Sequence, residues 1–155
     1  DNIFIYTGAG NYTGGTVLLN NQRLLGQGAS ASIESIAGIT LAPGSATLPS
    51  TGGTNPTIIN AAGNGIGVAQ GNTIRGLSIS NCSGNALNGL SFGTLTVSET
   101  LINTTGQAIS LTTGSLNAAF TSVSSSGGVM EFYYQELQAA LPLAEELLPA
   151  TRVHL

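Results

Sequence analysis

The residues that could carry acid–base chemistry are few and lie far apart in the sequence. Before the last third of the chain the acids are Asp1, Glu34 and Glu99, and the cations that could act with them are Arg23 and Arg75. Paired carboxylates hydrolyse glycosidic bonds, and an acidic calcium cluster with a basic residue supports β-elimination. No such grouping is evident in the sequence. We therefore predict no catalytic residues, and we expect Arg75 to point outward into solvent.

Metal and thiol chemistry have equally little support. The single histidine, His154, has no partner at ligand spacing. The single cysteine, Cys82, cannot form an intramolecular disulfide, and we expect it to be a small buried side chain. The sequence therefore predicts neither a metal site nor a cofactor.

The composition excludes two large classes of function. Only 6% of the residues are charged, there is no Lys, and the three arginines are far apart, so the clustered positive charge of a nucleic-acid binder is missing. No apolar run reaches the roughly 18 residues of a membrane span. A low charge with much Ser, Thr, Asn and Gly instead favours a bacterial secreted or cell-surface protein.

An internal repeat indicates the fold. The tetrads GNGI, GNAL, GQAI and GGVM begin at Gly63, Gly84, Gly106 and Gly127, which are 21, 22 and 21 residues apart. Each follows a short β-rich run, and each period has room for two or three strands of three to five residues. Such strands suit a coil in which every rung stacks on the rung before it. We therefore predict a mainly β fold, a parallel β-solenoid of about six rungs over residues 1–128.

The repeat also predicts which side chains face inward and which residues form corners. The predicted inward residues are Ile74, Leu77, Ile79, Leu95, Val97, Leu101, Ile109 and Leu111. The glycine of each tetrad is predicted to occupy a corner that needs a positive φ. Asn81 and Asn103 recur three residues before a tetrad, and they are either stacked corner residues or ordinary turn residues.

The part of the chain that precedes the first tetrad repeats less regularly. The runs IFIYTG, GTVLLNNQRLLGQG and SIAGITL are predicted to be short strands. The stretch from Ala42 to Thr57 holds three of the five prolines and is predicted to be a loop that projects from the coil.

Two segments resemble a known superfamily. NQRLLGQG at 21–28 and GNTIRGLSISN at 71–81 are similar to rungs of the right-handed parallel β-helix proteins, which include pectate lyases and the stalks of bacterial surface proteins. The resemblance covers about residues 1–128 and is greatest for the low-charge segments of large secreted or cell-surface proteins. It implies a single-stranded, right-handed parallel β-helix, and it keeps a polysaccharide lyase or hydrolase as an alternative.

The C-terminal segment, residues 129–155, has a different composition. Its apolar residues follow the spacing of an amphipathic helix, and Pro142 divides it into helices of about 131–141 and 142–148. We predict that this segment, native or joined on, caps the open end of the coil near Phe120 and Val123. The predicted cap residues are Phe132, Tyr133, Tyr134, Leu137, Leu141, Leu147 and Leu148. The alternative is a helix that binds a partner or a second copy.

The sequence as a whole predicts a non-catalytic structural or surface-exposed scaffold. Its partner would be a glycan or another surface protein, with Tyr6 and Tyr12 as the coil tyrosines available for stacking on a sugar. An ice-binding face is a weaker alternative, because the TLT at 94–96 has no regular repeat. A capping tail predicts a monomer, and an uncapped end predicts self-association.

Overall fold

The computed structural model describes residues 1–127, and these form a parallel β-solenoid of about six rungs. The prediction of a mainly β coil of that length is confirmed. Its right-handed sense remains a prediction, supported by the usual chirality of parallel crossover connections. The predicted cap lies outside the described residues, and so do all of its named side chains.

Each of the first three rungs consists of three short strands. The first rung holds β1 (Asn2–Ile5), β2 (Tyr12–Thr13) and β3 (Thr16–Val17). The second holds β4 (Arg23–Gly26), β5 (Thr57–Ile59) and β6 (Ile66–Gly67), and the third holds β7 (Thr73–Arg75), β8 (Ser78–Ser80) and β9 (Leu87–Gly89). Longer strands follow in β10 (Gly93–Thr104) and β12 (Gly114–Ser125), with the short β11 (Ile109–Leu111) between them.

The strand pairings between rungs of the described chain are parallel, so each column of residues continues from one rung to the next. One sheet runs in the order β1-β4-β7-β10-β8-β5-β2, with β12 on the far side of β10, and the other runs β11-β9-β6-β3. The first half of β10 pairs with β7 and its second half with β8, so two faces of the coil merge into one long strand. The predicted period is confirmed, because Ile79 pairs with Ile58, 21 positions earlier.

The core consists of aliphatic columns that run along the axis of the coil. Leu24, Ile74 and Val97 are successive members of one column, and Ile58, Ile79 and Ile102 are successive members of another. All six are buried. Stacking aliphatic residues on one another gives each buried side chain neighbours of similar size above and below, which supports close packing.

One predicted inward residue is wrong, and a bulge explains it. Leu95 and Val97 are fully buried, but in the second half of β10 the buried residue is Ile102, while Leu101 is only half-buried. The register of β10 against β12 shifts between Ser98 and Thr100, around Glu99, whose φ is 50°. One extra residue reverses the alternation of a strand, so every later side chain changes face.

The explanation predicted for the tetrad glycines is also wrong. Gly63, Gly84, Gly106 and Gly127 do not have positive φ; the left-handed corners are at other residues, including Asn81 and Gly76. Close stacking of the rungs explains Gly84, Gly106 and Gly127 instead, whereas a Cβ at Gly63 would make only an ordinary contact, 3.5 Å from Asn60 Nδ2. A Cβ at Gly106 would collide with the carbonyl oxygens of Gly84 and Ser83, and one at Gly127 would collide with the carbonyl oxygen of Thr105.

The two asparagines at equivalent tetrad positions have different roles. Asn81 is a left-handed corner residue with φ 49°, whereas Asn103 lies within β10. The backbone N–H of Asn81 donates to the carbonyl of Asn103, and Oδ1 of Asn103 accepts from the hydroxyl of Ser124. The two therefore stack through their backbones, and only Asn81 meets the prediction of a corner.

An insertion, residues 27–56, interrupts the second rung between β4 and β5. The predicted projecting loop is confirmed over 42–56, where the structure has no strand or helix. The strand predicted for SIAGITL is wrong, because α1 (Ile33–Ala37) begins at the cap residue Ser32, whose hydroxyl accepts from the N–H of Ser35. Gly38, at φ 66°, ends the helix. Within residues 1–127, no helix is long and apolar enough to cross a bilayer.

Candidate functional site

The densest polar contact in the described chain lies at the base of the insertion, where it leaves and rejoins the coil. Four residues meet there, and we call them the neck cluster: Ser30, Asn55, Arg75 and Glu99. Ser30 and Asn55 lie near the two ends of the insertion, whereas Arg75 is on β7 and Glu99 is on β10. The cluster therefore links three segments that are far apart in the sequence.

Glu99 is the acceptor at the centre of the neck cluster. Arg75 donates from Nε to Oε2 at 2.6 Å and from Nη2 to Oε1 at 3.2 Å. Ser30 donates its backbone N–H to Oε2 at 3.1 Å and its hydroxyl to Oε1. Four donors therefore surround one carboxylate. The ion pair is half-buried, with 25% of the Arg75 side chain and 32% of the Glu99 side chain exposed.

The electrostatics of the neck cluster keep Glu99 ionised. The hydrogen bond from Arg75 is the largest cause that lowers its pKa, from 4.5 to about 2; the two hydrogen bonds from Ser30 and the charge of Arg75 add to this, and partial burial opposes it. A general acid must hold a proton near the working pH, and a carboxylate with so low a pKa does not. The same low pKa makes Glu99 a weak base towards the hydroxyl of Ser30.

Asn55 completes the closure of the insertion. Its side-chain Nδ2 donates to the carbonyl oxygens of Leu77 at 3.2 Å and Glu99 at 3.3 Å. The backbone reinforces this link, since Gly52 N–H donates to Ala29 O at 2.7 Å and Gly53 N–H donates to Gln27 O at 3.0 Å. The ends of the insertion are therefore held together and against two rungs of the coil.

The closed insertion covers an outward-facing apolar patch. Leu25 lies in the same column as Arg75, on the outer side of the coil, yet it is fully buried. Ala29 and Ile33 of the insertion are buried as well, while none of the three belongs to the main core. The neck cluster thus holds the insertion at a place where three apolar side chains outside the main core are buried.

The structure separates the other candidate acids and bases. Glu34 is on α1, where its carbonyl accepts from the N–H of Gly38. The carbonyl of Asp1 accepts from the N–H of Arg23 at 2.9 Å, and Arg23 Nη1 donates to Asn2 Oδ1 at 3.5 Å. Glu99, by contrast, contacts the cation of Arg75 and the hydroxyl of Ser30. The prediction that Arg75 is a freely solvated outward residue is wrong, because its column faces outward but the insertion and Glu99 enclose its guanidinium.

Cys82 is fully buried, as predicted. Burial raises the pKa of its thiol, and hydrogen bonds oppose this effect. Among residues 1–127, no group of three or more His, Cys, Asp or Glu side chains could hold a metal ion. His154 lies outside the described residues.

The two predicted coil tyrosines come together in the first rung. The Tyr12 hydroxyl donates to the carbonyl of Tyr6 at 2.8 Å, and the rings of Phe4 and Tyr6 meet edge to face with centroids 4.9 Å apart. Tyr6 and Tyr12 are both exposed. Tyr12 also pairs with Ile58 of the second rung, so the two residues belong to the same column.

The Thr pair predicted as the weaker alternative does not recur along its columns. Thr94 pairs with Ser115, and Thr96 pairs with Thr73 and Asn117. A regular ice-binding face would repeat Thr at both positions, so these columns do not form one.

Sequence reasoning missed Ser30 and Asn55. Both are ordinary loop residues in composition, and their contacts with Glu99 span 69 and 44 positions. One feature of the sequence could have indicated the site. Arg75 and Glu99 are two of the few charged residues in the chain, and they are about one period apart. Two residues separated by about one period of a solenoid lie on neighbouring rungs.

No family model, no curated protein and no solved structure matches this chain.

Proposed function

We propose that the chain is a non-catalytic structural scaffold: a stiff coil, residues 1–128, whose last segment, residues 129–155, covers its open C-terminal end. We place it among the low-charge β-helix segments of bacterial secreted or cell-surface proteins, on the strength of the composition and of the rung pattern. Its outer faces present Ser, Thr and Asn.

The observation that carries this proposal is the state of the last strand. Leu116 and Val123 of β12 continue the columns of Leu95 and Ile102, which are fully buried, yet both are only half-buried themselves. No residue of β12 is buried. The core columns of the described chain therefore end at β12. An apolar cover there would bury the side chains of Leu116 and Val123 more completely.

The edge of β12 strengthens the case for a cover. This strand has 12 residues, without a charge or a proline, and no further strand of the described chain pairs with it beyond β10. Long, uncharged edge strands bind other chains unless something protects them. The amphipathic segment follows directly in the sequence, and its Tyr and Leu face supplies apolar area at the place where it is needed.

The neck cluster supports a structural role for the insertion. The ionised Glu99 accepts from four donors and holds the insertion against two rungs. This arrangement suits a scaffold that displays the insertion on its surface. Turnover of a polyuronide that is lost when a chelator is added would replace this proposal with the lyase alternative.

The test is size-exclusion chromatography with light scattering on the full chain and on a version that ends at Gly128. The proposal expects the full chain to form one small, closed species and the short version to form large aggregates. Circular dichroism checks that both retain β structure. If the short version stays folded and matches the full chain in association, the cap is overturned, and the tail becomes a candidate partner-binding helix.

A pair of matched double variants separates capping from general effects of charge. Leu137→Glu with Leu141→Glu places two charges on the proposed apolar face and should cause aggregation. Gln135→Glu with Gln138→Glu adds the same charges among the polar positions and should leave the full chain in its closed state. Equal behaviour of the two variants would contradict capping by this face.

A further inference from the structure

The outer part of the insertion, residues 40–51, has no strand or helix, and we call it the insertion tip. Within the described chain its backbone makes a single hydrogen bond, from the N–H of Ser45 to the carbonyl of Ala42. That bond closes a turn whose centre is Pro43 and Gly44, the latter at φ 83°. Residues 42–47 are all exposed. The tip therefore lies in solvent, outside the strand ladders of the coil.

The composition of the insertion tip limits the kind of enzyme that could act on it. Residues 35–74 contain no Asp, Glu, Lys, Arg or His, so a protease that needs a charged side chain beside the cleaved bond finds no site there. Ala46 is small and exposed, and Thr47 rather than a proline follows it. A small, apolar side chain at this position suits an endopeptidase with a small specificity pocket, as in elastase.

We propose that the insertion tip is a proteolytic processing site, and that the cleaved protein remains one folded coil made of two chains. The bond that breaks is the peptide bond between Ala46 and Thr47. One water molecule supplies a hydroxyl to the carbonyl carbon of Ala46 and a proton to the nitrogen of Thr47, which leaves a new carboxylate and a new ammonium group. Exposed loop tips with small residues are the preferred sites of proteolytic nicking.

Strand pairings hold the two products together. The N-terminal product, residues 1–46, contains β1 to β4, and the C-terminal product begins before β5. Three parallel pairings cross between the products, because β2 pairs with β5, β3 with β6, and β4 with β7. Leu24 and Ile74 come from different products and are paired members of one buried column. Hydrolysis of one bond in the tip removes none of these contacts.

The base of the insertion adds side-chain contacts that also cross the cut. Ser30 of the N-terminal product donates to Glu99 of the C-terminal product, from both its N–H and its hydroxyl. The hydroxyl of Thr7 donates to the carbonyl of Thr54. The insertion is therefore fixed at its base and open at its tip, so that cleavage should stop after the tip is cut.

This inference goes beyond the proposed function and does not depend on the cap. Limited digestion of the full chain with pancreatic elastase tests it, with the fragments assigned by mass spectrometry. The first cut within residues 1–127 should follow Ala46. The two products should elute together from a sizing column, with the β signal of the uncut protein in circular dichroism. They should separate only in denaturant.

Two exposed alanines of the coil provide a control within the same chain. Ala61 and Ala62 are as accessible by class as Ala46, but they lie in a corner where the N–H of Ala62 donates to Asn60 Oδ1 and the N–H of Gly63 donates to Asn60 O. Elastase should cut this corner about tenfold more slowly than the tip, because hydrogen-bonded backbone must first open. Ala46→Pro should slow cleavage of the tip about tenfold, since proline then occupies both flanking bonds.

Trypsin gives a second control, because its sites in the described chain, Arg23 and Arg75, both lie in strands. It should leave both bonds uncut under conditions in which elastase cuts the tip. A tip that resists elastase would overturn the proposal. So would a first cut at Ala61 or Ala62, an undiminished rate in Ala46→Pro, or products that separate in native buffer.

Discussion

Arg75 Nε lies 2.6 Å from Glu99 Oε2, although the two residues are 24 positions apart and stand on neighbouring rungs. The pair does more than join two rungs, because Ser30 and Asn55 bring both ends of the insertion to the same glutamate. The insertion then covers Leu25 on the outside of the coil. The ion pair between Arg75 and Glu99 thus connects the regular rungs of the coil to the insertion, residues 27–56.

Replacing Glu99 by Gln should destabilise the protein by about 1–2 kcal/mol, since charged hydrogen bonds are lost but the pair is partly exposed to solvent. Denaturant unfolding measures this change. Glu34→Gln is the matched control, because it removes the same charge from α1, and it should change the free energy of unfolding by less than about 0.5 kcal/mol. Equal losses in the two variants would contradict an anchoring role for Glu99.

The contribution of Glu99 should depend on pH in a defined direction. Its pKa is about 2 in the folded protein and is ordinarily 4.5, so protonation favours the unfolded chain. The stability difference between wild type and Glu99→Gln should be full above about pH 4.5 and should shrink as the pH falls towards 2. Unfolding free energies of both proteins across this range test it. A difference that stays constant down to pH 2 would count against the prediction.

Gly106→Ala should destabilise the coil by about 2–3 kcal/mol, because the new Cβ would collide with backbone oxygens of the rung below. Thermal or denaturant unfolding gives the value. Gly10→Ala provides the control, since nothing lies within 4 Å of a Cβ there and Gly10 is not among the glycines with positive φ. That variant should be neutral or slightly stabilising. If Gly106→Ala is equally harmless, the close-stacking explanation of the tetrads is wrong.

Ile102→Ala and Leu101→Ala test the bulge at Glu99. Ile102 is fully buried in a core column, so its truncation should cost about 3–4 kcal/mol, whereas the half-buried Leu101 should cost about 1 kcal/mol. Equilibrium unfolding in urea compares the two. If Leu101→Ala lost more stability than Ile102→Ala, the register shift at Glu99 and the position of Leu101 outside the core would both be contradicted.

The Cys82 thiol should be unreactive in the folded protein. It is fully buried, and burial raises its pKa, so both access and the thiolate fraction are reduced. A chromogenic disulfide reagent should label it at least a hundredfold faster in denaturant than in native buffer. Fast, complete labelling without denaturant would show that this part of the core opens readily.

Much of the coil could be predicted from the repeat, and the errors share one cause. Ile74, Leu77, Ile79, Leu95, Val97, Ile109 and Leu111 were assigned to the core correctly, because the period of the tetrads and strand alternation suffice to place them. Leu101 was misplaced, since a bulge depends on one backbone angle at Glu99. The tetrads marked the period correctly, but Gly84, Gly106 and Gly127 are needed for close contact between rungs, which sequence spacing does not reveal.

The candidate site was harder to predict than the fold. Arg75 and Glu99 could be singled out as rare charges, but their partners Ser30 and Asn55 could not, because an insertion of irregular structure has no period to place its residues. The helix α1 also lies in this insertion, and no period indicates its structure. There the capping by Ser32 and Gly38 outweighs the strand propensity of the isoleucines.

The sequence by itself determined the class of fold, the length of the period and most of the inward columns, because these follow from local alternation repeated along the chain. Tertiary structure alone decided the path of the insertion, the neck cluster around Glu99 and the incomplete burial of Val123 on β12. These features depend on which distant segments meet, so no local pattern contains them.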